Sequence, residues 1–166
     1  MAVSTITKNK RDGTITFSDN AGANSITVAY EEGDLSITVP GESVSHYLDR
    51  GRITSTPSIR YLDDQPVTFT FSANLRDVSD ATDEILTELI LGPSGRIGTN
   101  WVSTMGANGE VFTVTTLFTI EGTDHGDAAD HTLTMNFCRL TGSIAEGDPD
   151  TISISGTAYD LYPTPT

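Results

Sequence analysis

The chain has 166 residues, the size of one ordinary domain, and its 23 Asp and Glu residues against nine Lys and Arg give a net charge of −14. A surface this acidic repels phosphate backbones, which argues against a sequence-reading nucleic-acid binder. One cysteine excludes an internal disulfide framework, and there is neither an apolar leader nor a stretch near the roughly 20 apolar residues of a membrane helix, so we expect a soluble, untargeted protein.

Residues 1–166 are predicted to form a single domain, with 1–12 interpreted as an arm that becomes ordered on assembly. Thr, Ser, Gly and Asp are abundant, as in β proteins with many turns. Period-two alternation predicts strands at 13–18, 25–30 and 34–39, and most clearly at 66–75. The core-facing side chains predicted in this last strand are Val67, Phe69, Phe71, Ala73 and Leu75. The fold class is therefore predicted to be all-β.

Two stretches depart from this pattern. Residues 41–64 alternate poorly, carry both signs of charge and are long for a connection, which is typical of a functional loop. Residues 79–91 have apolar side chains at helical spacing, carboxylates in the first turn and Gly92-Pro93 as a stop. They predict one helix that flanks the sheet.

The last third of the chain alternates again, at 110–122, 131–140 and 150–161, and is expected to form a three-stranded antiparallel meander. The side chains predicted to share one face of each strand are Phe112, Val114, Phe118 and Ile120, then Leu133, Met135 and Phe137, then Ile152, Ile154 and Ala158.

The connection between the first two of these strands is EGTDHGDAADH, residues 121–131, here called the acidic turn. Its carboxylates would suit calcium or magnesium, and His125 or His131 a transition metal. However, the spacing matches neither the calcium-binding loop motif nor the H-E-x-x-H zinc motif of a helix. Gly and Asp are also expected at a hairpin tip simply because they favour turn conformations. A hairpin tip without a metal is the favoured interpretation.

No constellation of acid, base and nucleophile can be assembled, so the sequence predicts neither an enzyme nor a cofactor. Cys138 lies mid-strand without a partnering base and is predicted to be a packed or sheet-surface thiol. His46 is interpreted as a surface or interface residue, and Trp101 as an aromatic that anchors a loop.

Residues 33–91 resemble the tail tube (major tail) proteins of long-tailed, siphovirus-like bacteriophages. The resemblance lies in the order of a strand ending at Val39-Pro40, a polar loop with the run 48–51, the run 56–60, a strong strand, and the residues 75–77 leading into a helix. It implies a β-sandwich or partly closed β-barrel flanked by one helix.

In function, the resemblance implies six copies in a ring, with rings stacked into a tube around a tape-measure protein. The tube conducts DNA without binding it specifically, and meets a tail terminator and distal tail proteins. The protein would be made in the cytoplasm of the bacterial host, and would reside in the virion without contacting a membrane.

By the same resemblance, the 41–64 loop reaches an adjacent ring. The contact candidates that follow are His46, Asp49, Arg50, Arg52, Arg60, Asp63 and Asp64. The acidic turn would face either the lumen or a neighbouring subunit, with Glu121, Asp124, Asp127 and Asp130 as its carboxylates. A strongly acidic wall would keep DNA from sticking, because it repels phosphates. The Thr-rich second faces of the strands are polar enough for a soluble monomer and have the β propensity to pair with neighbours.

Two alternatives remain open. One is a monomeric β-sandwich module for carbohydrate or a receptor, with Tyr47, Tyr61 and Trp101 as stacking aromatics and calcium in the acidic turn. The other is a tail terminator or head-tail joining protein, which would stop at a single ring.

Overall fold

The fold was determined as a computed structural model, which describes residues 13–20, 24–29, 35–41, 43–47, 58–74, 101–106, 111–122, 128–160 and 164–165. The predicted arm at 1–12 and helix at 79–91 lie outside these residues. Within the part of the chain that is described, no helix has the length and apolarity needed to span a membrane.

Ten strands are present in the described residues. Their bounds are β1 Gly13–Ser18, β2 Ser25–Ala29, β3 Ser36–Thr38, β4 Val44–Tyr47, β5 Ser58–Tyr61, β6 Val67–Asn74, β7 Val114–Ile120, β8 His131–Ala145, β9 Thr151–Ala158 and β10 Thr164–Pro165.

Eight strands form one antiparallel sheet in the order β2-β1-β7-β8-β9-β6-β3, with the short β10 paired to the first half of β8. The predicted meander is confirmed, since β7, β8 and β9 are consecutive antiparallel neighbours. The sheet also joins strands that are far apart in the chain, because β1 pairs with β7 and β6 with β9.

The sheet curls over its own core. Phe17 of β1 and Phe71 of β6 stack with their ring centroids 5.9 Å apart. These strands are four places apart in the sheet order, which would separate them by roughly 19 Å if the sheet were flat. The contact therefore requires a strongly curved sheet, as in the β-sandwich or partly closed barrel that was expected.

Alternation is the reason why the core lies on one face of the sheet. On β6, Val67, Phe69 and Phe71 are buried, whereas Thr68 and Thr70 between them are exposed. The other buried apolar residues are Ile15, Phe17, Ile26, Trp101, Val114, Met135, Cys138, Ile152, Ile154 and Ala158. The predicted core residues Phe112, Phe118 and Ala73 pack against this cluster and are partly buried.

The prediction that Phe137 faces the core is wrong, because β8 contains a bulge. Thr116 of β7 pairs with Met135 and Val114 pairs with Cys138, so one residue of β7 lies opposite two of β8. Phe137 takes a positive φ of 52° at this position, and its side chain is 37% exposed. The extra residue inverts the alternation, so that Cys138 turns inward in its place.

The 41–64 connection is not irregular throughout. It contains a two-stranded antiparallel hairpin of β4 and β5, which forms its own small sheet, with Val44 opposite Tyr61 and Tyr47 opposite Ser58. The Leu62 amide donates to the Ser43 carbonyl at 2.8 Å and closes the base of the hairpin. Here, β4 and β5 form regular strands by pairing with each other, although the sequence of this connection shows no clear alternation.

Candidate assembly surfaces

The sheet face opposite the core, here called the hydroxyl face, consists almost entirely of Ser and Thr side chains. Cross-strand registers place these residues side by side along every strand of the sheet. The exceptions within the regular ladders are Ala29, Asn74, Leu117, Arg139 and Ala145. Along the described strands this face carries no carboxylate, although the chain has 23 acidic residues.

Hydroxyl groups bond to one another across this face. The Oγ1 atoms of Thr16 and Thr27 lie 2.9 Å apart, and the Oγ atoms of Ser72 and Ser153 lie 3.3 Å apart. Such cross-strand pairs stabilise a sheet modestly and hold the side chains in register. The face is therefore polar, ordered and nearly uncharged.

The described carboxylates lie instead where strands end. Because neighbouring strands are antiparallel, the turn 146–150 after β8 and Asp19 after β1 occupy one end of the sheet. The other end carries the acidic turn and the 62–66 link that contains Asp63 and Asp64. The β4–β5 hairpin joins the sheet at this second end, since it connects β3 to β6. Both ends of the sheet are thus acidic, and the second end differs from the first because it also carries the β4–β5 hairpin.

The predicted contact residues fall partly within the described chain. Arg60 lies on β5 and is exposed, and Asp63 and Asp64 are exposed in the link that follows. The backbone of His46 lies on β4, opposite Ile59. Asp49, Arg50 and Arg52 lie outside the described residues. The structure therefore brings His46 and Arg60 into one hairpin, and their contacts with another subunit stay a prediction.

The acidic turn is shaped by a close backbone approach. A Cβ at Gly122 would overlap the carbonyl oxygen of Ala129, so only glycine fits here. The Gly122 amide donates to the Asp130 carboxylate at 3.1 Å. Glu121 and His131 are exposed beside it, whereas Asp124, His125 and Asp127 lie outside the described residues. Asp130 therefore helps to close the turn, as expected of a hairpin tip.

Metal binding has no support from the described side chains. Among them, no three His, Cys, Asp or Glu residues are grouped so that they could hold a metal ion. The acidic turn is represented in this set only by its two ends.

Trp101 does not present a stacking surface. Its side chain is 7% exposed and belongs to the core. The adjacent Val102 is tied to the end of β1, because its amide donates to Asp19 Oδ2 at 3.2 Å and its carbonyl accepts from the Asn20 amide. Anchoring is therefore the role of Trp101. The side chains of Tyr47 and Tyr61 are outside the described set.

Cys138 is buried and chemically quiet, as a packed thiol should be. Its Sγ donates to the Met135 carbonyl at 3.3 Å. Burial raises the pKa of the thiol from 9.0 to about 11. Because the thiolate is the nucleophile, this cysteine is unreactive at neutral pH.

This raised pKa predicts a loss of stability in alkaline solution. The folded chain holds the proton up to about pH 11, whereas the unfolded chain releases it near 9.0, so stability is full below pH 9 and falls between these values. The expected loss is about 2 kcal/mol. Urea unfolding at pH 8 and pH 11 should show this extra loss in the wild type relative to Cys138→Ala. Equal losses in both proteins would contradict it.

The turn 146–150 is a surface that the sequence analysis missed. The Gly147 amide donates to Asp150 Oδ1 at 2.9 Å, and Glu146 and Asp148 are exposed beside it. The signal in the sequence was three acidic residues within five positions between two strands.

Comparison with known proteins gives likeness in structure alone. No protein-family model and no curated protein matches the chain. A chain of the PVC sheath-tube complex in its extended state, from an extracellular contractile injection system, superposes with a TM-score of 0.57 at 11% identity, covering 99% of this chain and 100% of that one. A chain of the anti-feeding prophage cap, which terminates a tube, gives 0.56 at 12% identity, covering 100% and 94%.

The fold is of the tail-tube type. This confirms the predicted all-β class and its architecture, while the flanking helix lies outside the described residues. The likeness is to phage-tail-like injection systems, and it does not single out the long-tailed phages.

Proposed function

We propose that this chain is a structural protein of a phage-tail-like particle, and that it assembles into stacked hexameric rings that form the tail tube of a long-tailed phage. The observation that carries the proposal is likeness over nearly the whole chain to chains of a sheath-tube complex and of a tube cap. The likeness therefore extends over the fold as a whole and is not confined to one part of the sheet.

The two unlike ends of the subunit support stacking. One end presents the β4–β5 hairpin with Arg60, and the other presents the turn 146–150 with Glu146 and Asp148. When copies stack in the same direction, the hairpin of one ring meets the turn 146–150 of the next. Contacts between two different surfaces continue into a filament, whereas a self-complementary contact would stop at a pair.

The hydroxyl face supports a conduit. A channel wall must not hold DNA, and phosphates are held by clustered Lys and Arg side chains. On the hydroxyl face the regular ladders carry one cation, Arg139. A wall of this kind would let DNA pass without specific binding, and the carboxylates at the sheet ends would add repulsion. The partners in this function are other copies of the chain, a tape-measure protein, a tail terminator and distal tail proteins. Assembly would take place in the bacterial cytoplasm and end in the virion.

A second candidate is a protein that ends a tube as a single ring. The likeness to the anti-feeding prophage cap favours it specifically, with a TM-score nearly equal to that of the sheath-tube chain. Its fold requirements are the same, so the two functions differ in whether rings stack.

Negative-stain electron microscopy of the purified chain separates these functions. We expect rings with six-fold symmetry that stack into tubes as the protein concentration rises. Single rings that never stack would support the second candidate. A protein that stays monomeric at high concentration would contradict both.

A further inference from the structure

Strand β8 continues well beyond its neighbour β7. The ladder between the two strands ends at Val114 opposite Cys138. From Arg139 to Ala145, β8 still pairs with β9 on its other side. On the β7 side, no strand among the described residues pairs with this part of β8.

Residues 141–145 of this extension, here called the open edge, are all exposed. Ile144 lies opposite Ile152, which is fully buried on the core face, yet Ile144 itself is 48% exposed. Among the described residues, no strand therefore covers the backbone groups or the apolar side chain at this place. One incoming strand would pair with the backbone and cover Ile144 on the core face.

The open edge also lacks the usual protection against pairing. Natural edge strands are blunted by charged side chains, proline or bulges. The open edge reads TGSIA, without charge or proline, and the bulge at Phe137 lies before it. The nearest charged residues flank this edge, with Arg139 before it and Glu146 after it. This edge is suited to accept a strand.

We propose that the open edge pairs with β2 of a second copy of this chain. β2 ends the sheet on one side, spans five residues as the open edge does, and is likewise uncharged. The other terminal strand, β3, has three residues. Pairing between two different edges is a head-to-tail contact, which closes into a ring when the rotation allows it. The inference rests on the proposed function, since the second copy is the neighbour within a ring.

The test compares Ile144→Lys with Tyr159→Lys, which places the same charge at a residue that is 58% exposed elsewhere. We expect Ile144→Lys to weaken association at least tenfold by sedimentation, and Tyr159→Lys to leave it unchanged. The melting temperature of the monomer should be the same in both, because neither side chain is buried.

Hydrogen exchange on the wild type gives a readout that does not depend on a variant. Amides of 141–145 and of β2 should exchange at least tenfold more slowly in the assembly than in the monomer. Assembly without this protection would overturn the open-edge contact and leave the tube function standing. If the wild type stays monomeric at every concentration and these amides exchange fast throughout, both proposals fall.

Discussion

Replacing Phe17 with alanine should lower the free energy of unfolding by about 3–5 kcal/mol. The Phe17 ring is completely buried on β1 and stacks on Phe71 of β6. Truncation removes this buried surface and leaves a cavity inside the curved sheet, between β1 and β6. Since a whole domain is stable by roughly 5–15 kcal/mol, the loss is a large fraction of the total. Urea unfolding monitored by circular dichroism measures it.

The control for this variant is Thr14→Ala, on the same strand but on the hydroxyl face, which should cost less than about 1 kcal/mol. A double-mutant cycle with Phe71→Ala should give a coupling of about 0.5–1.5 kcal/mol. If the two substitutions are strictly additive, the rings do not touch and the sheet is less curved than the ring contact requires.

Replacing Gly156 with alanine should destabilise the fold by about 1–3 kcal/mol, although it adds only one methyl group. Gly156 of β9 lies opposite Phe69 of β6, and a Cβ at Gly156 would overlap the Phe69 ring. The ring is buried within the core cluster, so it can move aside only by disturbing the side chains packed around it. Chemical denaturation should therefore show a lower midpoint with an unchanged slope.

Gly41→Ala is the matched control, because no atom lies within 4 Å of a Cβ built there. We expect it to change the unfolding free energy by less than about 0.5 kcal/mol. A Gly156→Ala protein as stable as this control would mean that the Phe69 ring does not cover Gly156.

Alternation in the sequence accounts for most of the sheet. It predicted β1, β6 and the β7–β8–β9 meander, together with buried residues such as Val67 and Ile154. This works because a sheet with its core on one face imposes the same period-two pattern on every strand.

The deviations have local and non-local causes. The bulge at Phe137 could not be seen, because alternation assumes that each residue faces one partner, and here two face one. The pairing of β1 with β7 was also hidden, since it joins strands separated by most of the domain. Such pairings depend on how the whole chain packs, so the local alternation of apolar and polar residues cannot predict them.

The candidate surfaces were predictable only in part. The sequence predicts a Thr-rich polar face for each strand separately. That these faces align into one hydroxyl face depends on the cross-strand registers, which the sequence does not give. Net charge counts carboxylates without locating them, so it suggested an acidic wall. In the structure, the described carboxylates lie at the strand ends, whereas the non-core face of the strands carries Ser and Thr.

Because Cys138 is buried, the wild-type chain gives no background in thiol labelling. With a pKa of about 11 and no exposed surface, its thiol will not react with a maleimide at neutral pH. A cysteine introduced at Ser153 would then be the single reactive thiol among the described residues. In an assembled tube, a small maleimide would reach a thiol in the lumen, whereas a large polymer-linked maleimide would not. Labelling by the small reagent alone would therefore show that the hydroxyl face lines the lumen, and labelling by both would show that it faces outward.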